Sequence, residues 1–366
     1  AIGVTLIEPS KQYYTCFFSN LYLGGFRDYG SIGHTYENMA SEGVGVVHDW
    51  ADAIDRDNKV VRLASGASVP YDRLVLSPGI DIKYDSVPGY SVEASAKMPH
   101  AWKSGTQVQV LKAQIEAMPE GGTFVMLAPP NPYRCPPGPY ERISMIGHLL
   151  KQKNPKAKIL VLDPKEKFSK QAVFQEGWER HYPGMVEWLP GSITGKVENV
   201  DVANMTITAG GETYKADAAS IIPPQKAGAI AEKAGLTDDK GWCPIKPATM
   251  QSAMDENIHI VGDASIASAM PKSAFAANSQ AKVAANAVRG ALTGSRVFPA
   301  RFANTCWSLI ATNDGVKVGA AYKAGEDKIE ETSTFISSTG ENVDVRKQTY
   351  EESIGWYDGI TKDIFG

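Results

Sequence analysis

The 366-residue sequence lacks the motifs of several common site types. Its four cysteines, at positions 16, 135, 243 and 306, form no C-x-x-C pair, which argues against a zinc ribbon and against haem attachment on this chain. The six histidines show no ligand spacing, so we predict no metal site. No apolar run approaches the roughly 20 residues that span a bilayer. A net charge of −4 argues against nucleic-acid binding.

A Gly-rich phosphate-binding turn is also missing where the pattern of elements calls for one. Residues 123–128 predict a buried strand, and residues 142–151 predict the helix that follows it. In a nucleotide-binding unit the intervening turn offers backbone N–H groups and a helix N-terminus to a pyrophosphate. Here five prolines, which have no N–H, and Cys135 occupy the loop before Gly138. We therefore predict thiol chemistry beside this loop rather than a bound nicotinamide.

Three short patterns in the rest of the chain are similar to those of proteins with two dinucleotide-binding domains. The strand over residues 2–7 ends in Glu8, as where a carboxylate holds a ribose hydroxyl. The Gly-rich turn expected about 20 residues before such an acid is absent, so either the N-terminal segment is incomplete or Glu8 is only a strand-end charge. Residues 74–78 predict a strand ending at Gly79, and residues 258–261 predict one that runs into Gly262 and Asp263.

Several runs resemble the flavoprotein subunit of flavocytochrome c sulfide dehydrogenase, a relative of sulfide:quinone reductases in the glutathione-reductase-like superfamily. The most specific run is residues 134–142, and the others are residues 13–20, 221–225, 241–244, 262–265 with 271–273, and 304–306. The resemblance covers essentially the whole chain. It implies oxidation of sulfide to sulfur or polysulfide through a redox-active disulfide and FAD. It also implies electron transfer to a separate c-type cytochrome subunit that carries the haem, in the periplasm and without insertion into a membrane.

The resemblance implies an α/β fold with two dinucleotide-binding domains and a C-terminal α+β domain. Residues 1–90 would form the first part of the FAD-binding domain, with its Gly-rich strand and turn missing. Residues 91–225 would form the second nucleotide-fold domain, without an NAD motif. Residues 226–294 would complete the FAD-binding domain, and residues 295–366 would form a C-terminal interface domain.

The same resemblance assigns roles to three cysteines. Cys16 would bind FAD covalently through the flavin 8α-methyl group, whereas a small buried apolar residue is the alternative. Cys135 and Cys306 would form the redox-active disulfide, which HS⁻ opens to a persulfide and a thiolate. The neighbouring Arg134 would favour that thiolate. An inert structural disulfide is the alternative for this pair, and Cys243 is expected to be a buried apolar residue.

The remaining site residues are predicted to lie around the disulfide and the flavin. Glu141 is a candidate acid or base for the sulfide proton, or a carboxylate that stabilises a helix N-terminus. Glu8, Gly79, Gly262 and Asp263 are expected to bind FAD, with Asp263 on the ribityl chain. Lys272 would face the N1–C2=O edge of the flavin unless it is simply solvated. Trp356 would pack beside the flavin ring or, alternatively, in the core.

Three other functions compete with sulfide:cytochrome c oxidoreduction. A sulfide:quinone reductase would need a membrane-binding C-terminus, for which residues 350–366 have few bulky apolar side chains. An NAD(P)H-dependent disulfide reductase is disfavoured by the proline-rich loop. A non-catalytic electron carrier, in which the cysteines only brace the fold, is distinguished by the effect of losing Cys135.

Overall fold

The computed structural model describes residues 2–103 and 105–366 and has α/β architecture. The α-helices of the described residues are α1 (Ser19–Leu23), α2 (Glu37–Ser41), α3 (Gln107–Glu116), α4 (Gly138–Lys153), α5 (Gln171–His181), α6 (Gly191–Thr194), α7 (Ala229–Lys233), α8 (Ala274–Thr293) and α9 (Val343–Phe365). The strands are β1 (Thr5–Ile7), β2 (Gln12–Tyr14), β3 (Gly33–Thr35), β4 (Gly45–Val47), β5 (Ala51–Asp55), β6 (Val60–Leu63), β7 (Ser68–Pro70), β8 (Leu74–Leu76), β9 (Ile80–Ile82), β10 (Thr123–Leu127), β11 (Lys158–Leu162), β12 (Val186–Leu189), β13 (Val197–Asp201), β14 (Thr206–Ala209), β15 (Glu212–Lys215), β16 (Ala218–Ile221), β17 (Gln225–Ala227), β18 (Gln251–Ser252), β19 (Asp255–Ile260), β20 (Arg301–Ala311), β21 (Asp314–Ala324) and β22 (Ile329–Ile336).

A four-stranded parallel sheet in the order β12–β11–β10–β16 holds the loop that carries Cys135. Strand β10 is almost continuously apolar and buried, as expected for a central strand covered on both faces. Phe124 and Met126 of β10 pack with Ile143 and Ile146 of α4 in the largest core cluster. Because Cys135 follows β10, it lies at the carboxyl edge of this sheet, where α/β folds place their ligands.

Helix α4 begins at Gly138, so the prediction that it begins at residue 142 is wrong. Pro139 is compatible with this earlier start because the N–H groups of the first helical turn have no partner within the helix. The shift places Glu141 inside the first turn of α4, close to Cys135 in space. Most of the other predicted elements have boundaries within a few residues of the observed ones. The strand predicted over residues 2–7 is shorter in the structure and extends only from Thr5 to Ile7.

The chain returns to its N-terminal region after the parallel sheet. Strand β19 pairs in parallel with β8, and β1 pairs in parallel with β4. The turn Gly262–Ala264 joins β19 to α8, whose N-terminal cap Ser273 accepts a hydrogen bond from the Ala276 amide. Gly79, which is predicted to bind FAD, therefore follows β8, and Gly262 and Asp263 follow the neighbouring β19. The predicted domain boundaries stay predictions.

The C-terminal region is an antiparallel sheet, β20–β21–β22, covered by α9. Arg346 of α9 is 1% exposed, and its Nε donates to Asp314 of β21 over 2.6 Å. Breaking a buried pair of this kind typically costs about 3–5 kcal/mol, so α9 is firmly attached to the sheet. The attachment fixes Trp356 further along α9. Within the described residues, no helix combines the length and apolar character needed to cross a bilayer.

Candidate active site

A cavity of about 980 Å³ lies where α1, the loop before α4, the N-terminus of α8, β20 and α9 meet. It collects predicted site residues from four separate parts of the sequence. The predicted residues that line it are Cys16, Cys135, Glu141, Cys306 and Trp356. That volume includes space open to solvent, and the mixture of aromatic and a few polar side chains around it is that of a small-molecule or cofactor site.

Cys135 is held at this cavity by its backbone. Its N–H donates to the Lys272 carbonyl over 2.7 Å, and its carbonyl accepts from the Gly138 N–H over 2.8 Å. The residue has φ 59°, which is uncommon for a residue with a side chain. A Cβ at Gly138 would lie 2.9 Å from the Cys135 Sγ, so only glycine permits this placement of the thiol. The Cys135 side chain therefore covers the N-terminus of α4.

Cys306 reaches the same cavity from β20. Its thiol is 9% exposed, and the Asn304 Nδ2 lies 3.3 Å from its Sγ. Cys306 also lines a second cavity, of about 480 Å³, which includes Pro136, Val318 and Tyr322 but not Cys135. All four cysteines are free thiols in this structure. The structure thus brings Cys135 and Cys306 to one cavity and places the buried Cys306 in the lining of a second one.

Glu141 connects the walls of the cavity. Its Oε2 accepts from the Asn20 Nδ2 of α1, and its Oε1 accepts from the Leu309 amide of β20, both over 2.9 Å. Burial raises the pKa of this carboxyl group, while these two hydrogen bonds, Lys170 and Arg142 partly oppose the rise. A carboxyl group that is easier to protonate than usual suits proton exchange near neutral pH. The position in the first turn of α4 agrees with the helix-stabilising alternative as well.

The two cavity thiols are hard to ionise in this environment. Burial raises the pKa of Cys135 well above its ordinary value, and Cys306, Glu141 and Cys16 add to the rise. Burial also raises the pKa of Cys306, while the hydrogen bond from Asn304 opposes that rise. A thiolate formed here needs a nearby positive charge, and Lys170 is a cation that lowers the pKa of both thiols.

Cys16 lies on the opposite side of the cavity among aromatic rings. Its carbonyl accepts from the Ser19 hydroxyl over 2.6 Å, which fixes the turn before α1. The neighbouring Phe17 ring lies 5.5 Å from Trp356, and Trp356 lies 5.5 Å from Trp307. Trp356 therefore forms part of an aromatic wall at the cavity, and its place beside the flavin ring stays a prediction.

Asp263 lies next to the cavity through its ion pair with Arg134. The Arg134 Nη1 is 3.8 Å from Asp263 Oδ2, and Arg134 itself lines the cavity. Among the described residues Asp263 Oδ1 is buried and has no hydrogen-bond donor. Gly262 has φ 77° in the turn before Asp263, a conformation that favours glycine. The turn presents an acceptor that a ligand hydroxyl would satisfy.

Five predicted cofactor residues do not line the cavity, namely Glu8, Gly79, Gly262, Asp263 and Lys272. The Lys272 ammonium donates to the carbonyls of Asp263 and Ser265 and lies 3.8 Å from the centre of the Trp242 ring. Glu8 accepts from the Ser10 amide beside the end of β1. Gly79, with φ 64°, follows β8 in open space. Their predicted contacts with FAD stay predictions. Lys272 contacts Cys135 through its backbone carbonyl, which accepts from the Cys135 amide.

Two buried cations near the cavity cysteines, Arg142 and Lys170, were not predicted from the sequence. The Arg142 guanidinium is 1% exposed and donates to Asn20, to the carbonyls of His100 and Ala101, and to Ser220. Lys170 is 4% exposed and donates to the Cys306 carbonyl and to Ser308. Arg142 lies inside the resembling run, so its position could have drawn attention. No local pattern marks Lys170.

The cavity and the Asp263 turn fit the predicted FAD. The aromatic wall around Trp356 can pack against a flavin ring, and the unpaired Asp263 Oδ1 can accept from a ribityl hydroxyl. Cys16 lines the same cavity, and its covalent attachment to FAD stays a prediction. Among the described residues no group of three His, Cys, Asp or Glu side chains is placed to hold a metal ion.

Two family models match the chain. The one described as sulfide dehydrogenase (flavocytochrome c) flavoprotein chain, central, matches residues 108–223. The one described as flavocytochrome c sulphide dehydrogenase, flavin-binding, matches residues 299–365. The chain is also 21% identical to the mitochondrial sulfide:quinone oxidoreductase of Mus musculus over 271 residues. That match includes 72% of this chain and spans 60% of the length of the mouse protein.

Solved structures show the same fold. The sulfide:quinone oxidoreductase of Aquifex aeolicus superposes with a TM-score of 0.70 at 16% identity, covering 97% of this chain and 85% of that one. The ferredoxin reductase for the CYP199A2 system of Rhodopseudomonas palustris superposes with a TM-score of 0.67 at 17% identity, covering 93% and 83%. The predicted fold of a two-domain dinucleotide-binding flavoprotein with a C-terminal α+β domain is confirmed.

Proposed function

Because the chain belongs to the flavocytochrome c sulfide dehydrogenase flavoprotein family, we propose that it oxidises sulfide and passes the electrons to a c-type cytochrome. The observation that carries the proposal is the meeting of Cys135 and Cys306 at one cavity with Glu141 and Cys16. Two thiols, an acid with a raised pKa and a third cysteine beside an aromatic wall are the groups that this chemistry needs.

The proposed reaction starts from a Cys135–Cys306 disulfide. HS⁻ enters through the second cavity and attacks the Cys306 sulfur, so that Cys306–S–SH forms, the disulfide breaks and Cys135 leaves as a thiolate. A second HS⁻ then takes the outer sulfur as HSS⁻ and leaves Cys306 as a thiol. When the disulfide forms again, it releases two electrons and one proton. Glu141 is positioned to take that proton.

FAD, when bound, supplies the two-electron acceptor and can return electrons one at a time. Cys16 would anchor it covalently, the wall that includes Trp356 would orient the ring, and Asp263 would hold the ribityl chain. Arg134 keeps Asp263 in place across the 3.8 Å ion pair. These residues bind and orient the cofactor, whereas the two cysteines meet the substrate.

The loop before α4 supports this reaction over nicotinamide chemistry. Pro136, Pro137 and Pro139 offer no N–H at the N-terminus of α4, where a pyrophosphate would need donors. The Cys135 side chain occupies the space in front of that helix end. The structure therefore favours sulfide over NADH as the electron donor.

A c-type cytochrome would also place the complex in the periplasm, and a quinone is the alternative acceptor because the mouse and Aquifex aeolicus relatives are sulfide:quinone oxidoreductases. To decide, the untagged protein is purified from its native cells and its absorbance is recorded before and after anaerobic addition of sulfide. We expect a haem c spectrum that co-purifies and becomes reduced. Haem-free protein that instead reduces a soluble ubiquinone analogue with sulfide would contradict the proposed acceptor.

A further inference from the structure

Among the described residues, neither neighbouring arginine donates a hydrogen bond to a redox cysteine, although both guanidinium charges act on Cys135. Arg134 is next to Cys135 in sequence, but its guanidinium pairs with Asp263 and donates to the Trp102 carbonyl. The donors of Arg142 are directed to Asn20, His100, Ala101 and Ser220, which holds this side chain in a structural network. A buried thiolate would therefore be stabilised further by a cation that donates hydrogen bonds directly beside the pair.

Lys170 has the placement that this task requires. It is 4% exposed and precedes α5, and its Nζ donates to the Cys306 carbonyl over 3.0 Å and to the Ser308 hydroxyl over 2.8 Å. An ammonium group has three donors. Among the described residues two acceptors are within hydrogen-bonding distance, so one N–H remains for a transient partner.

Titratable and charged groups on three neighbouring parts of the fold act on the Lys170 ammonium. Cys135 and Glu141 act on it from the loop and first turn of α4, Cys306 from β20, and Arg346 from α9. Burial lowers the pKa of Lys170 to about 8, although Cys306, Glu141 and Cys135 oppose the change. Burying an ammonium group costs free energy. The presence of Lys170 near Glu141, Cys135 and Cys306 therefore indicates a role beyond packing.

We propose that Lys170 is a positioning residue of the redox centre, where its ammonium anchors the backbone of Cys306 and compensates the negative charge of the thiolate released from the disulfide. The inference rests on the proposed redox role of Cys135 and Cys306. It does not depend on the identity of the electron acceptor. It adds Lys170 to Arg134, whose charge also acts on Cys135.

The test measures thiol ionisation without sulfide. Reduced holoenzyme is treated with iodoacetamide over a range of pH, and the alkylated fractions of Cys135 and Cys306 are quantified by peptide mass spectrometry. In Lys170→Met, loss of the cation should move the pH midpoint of alkylation of the more reactive thiol upward by about 1–2 pH units. Lys170→Arg should give a midpoint no higher than the wild-type value, because arginine retains the positive charge over the whole pH range.

Lys165 provides the matched control. It is also a buried lysine before α5, but it pairs with Asp163 over 2.7 Å and donates to the Pro129 carbonyl. Lys165→Met should leave the alkylation midpoint unchanged, whatever it does to stability. A folded Lys170→Met protein with the wild-type midpoint would overturn the inference.

The arginine variant tests the inference even if Lys170→Met does not fold. Since Lys170 loses its proton near pH 8 whereas arginine stays charged, thiolate stabilisation in the wild type should weaken above that pH. Lys170→Arg should then show greater thiol reactivity than the wild type above pH 8, and identical reactivity there would overturn the inference. Alkylation is measured without sulfide, so failure of the sulfide reaction would be seen separately.

Discussion

Cys135→Ser should abolish reduction of the flavin by sulfide while FAD stays bound. Without the Cys135 sulfur no disulfide can form with Cys306, so HS⁻ has no S–S bond to open. Loss of a covalent nucleophile commonly costs at least roughly 10³-fold in rate, and we expect a loss of that size or greater. Stopped-flow absorbance of the oxidised holoenzyme mixed anaerobically with sulfide measures the rate.

The matched control for this experiment is Cys243→Ser. Cys243 is fully buried, is absent from the cavity lining, and has its pKa raised to about 12 chiefly by burial. This variant should keep the sulfide reaction, apart from any loss of stability. If Cys135→Ser transferred electrons from sulfide at the wild-type rate, the cysteines would only brace the fold and the electron-carrier alternative would be favoured.

Cys16→Ala should convert a covalently held flavin into one that dissociates on denaturation. Cys16 lines the cavity beside the aromatic wall formed with Trp356, and its sulfur is the proposed partner of the flavin 8α carbon. Native Cys16→Ala should still bind FAD, because the cavity and the Asp263 turn are unchanged. After acid precipitation, essentially all of its flavin should appear in the supernatant, against almost none from the wild type.

Cys306→Ser separates the attachment from the redox chemistry. That variant should keep its flavin in the acid pellet and lose reduction by sulfide, whereas Cys16→Ala should lose the attachment and still react with sulfide. Release of all flavin from the acid-treated wild type would show that the attachment is absent. The proposed disulfide chemistry would remain to be judged on the Cys135 experiment.

The fold and the central thiol could be read from local sequence patterns. Strand β10 (Thr123–Leu127) nearly coincides with the strand predicted over residues 123–128, because a continuous apolar run is typical of a buried strand. The lack of backbone N–H donors in the proline-rich loop after β10 could also be predicted, because it is a property of the proline residues themselves. The helix boundary at Gly138 was missed because Pro139 is tolerated in a first turn.

Side-chain directions could not be predicted in the same way. Arg134 and Cys135 are adjacent in sequence, yet the Arg134 guanidinium meets Asp263 across the cavity wall. The Lys272 ammonium donates to the carbonyls of Asp263 and Ser265, and the Lys272 carbonyl accepts from the Cys135 amide, contacts that no local pattern indicates. Lys170 reaches Cys306 only through the packing of α5 against β20. Such contacts depend on tertiary structure, which local patterns do not encode.

The most direct test of the central claim compares two electron donors on the same native protein. One anaerobic sample of the oxidised, flavin-containing protein is titrated with sulfide and a second with NADH, and the flavin absorbance is followed. The account predicts that sulfide bleaches the flavin band and that NADH does not, because Cys135 occupies the place of a nicotinamide-binding turn. Bleaching by NADH alone would contradict it and would assign the chain to the pyridine-nucleotide reductases.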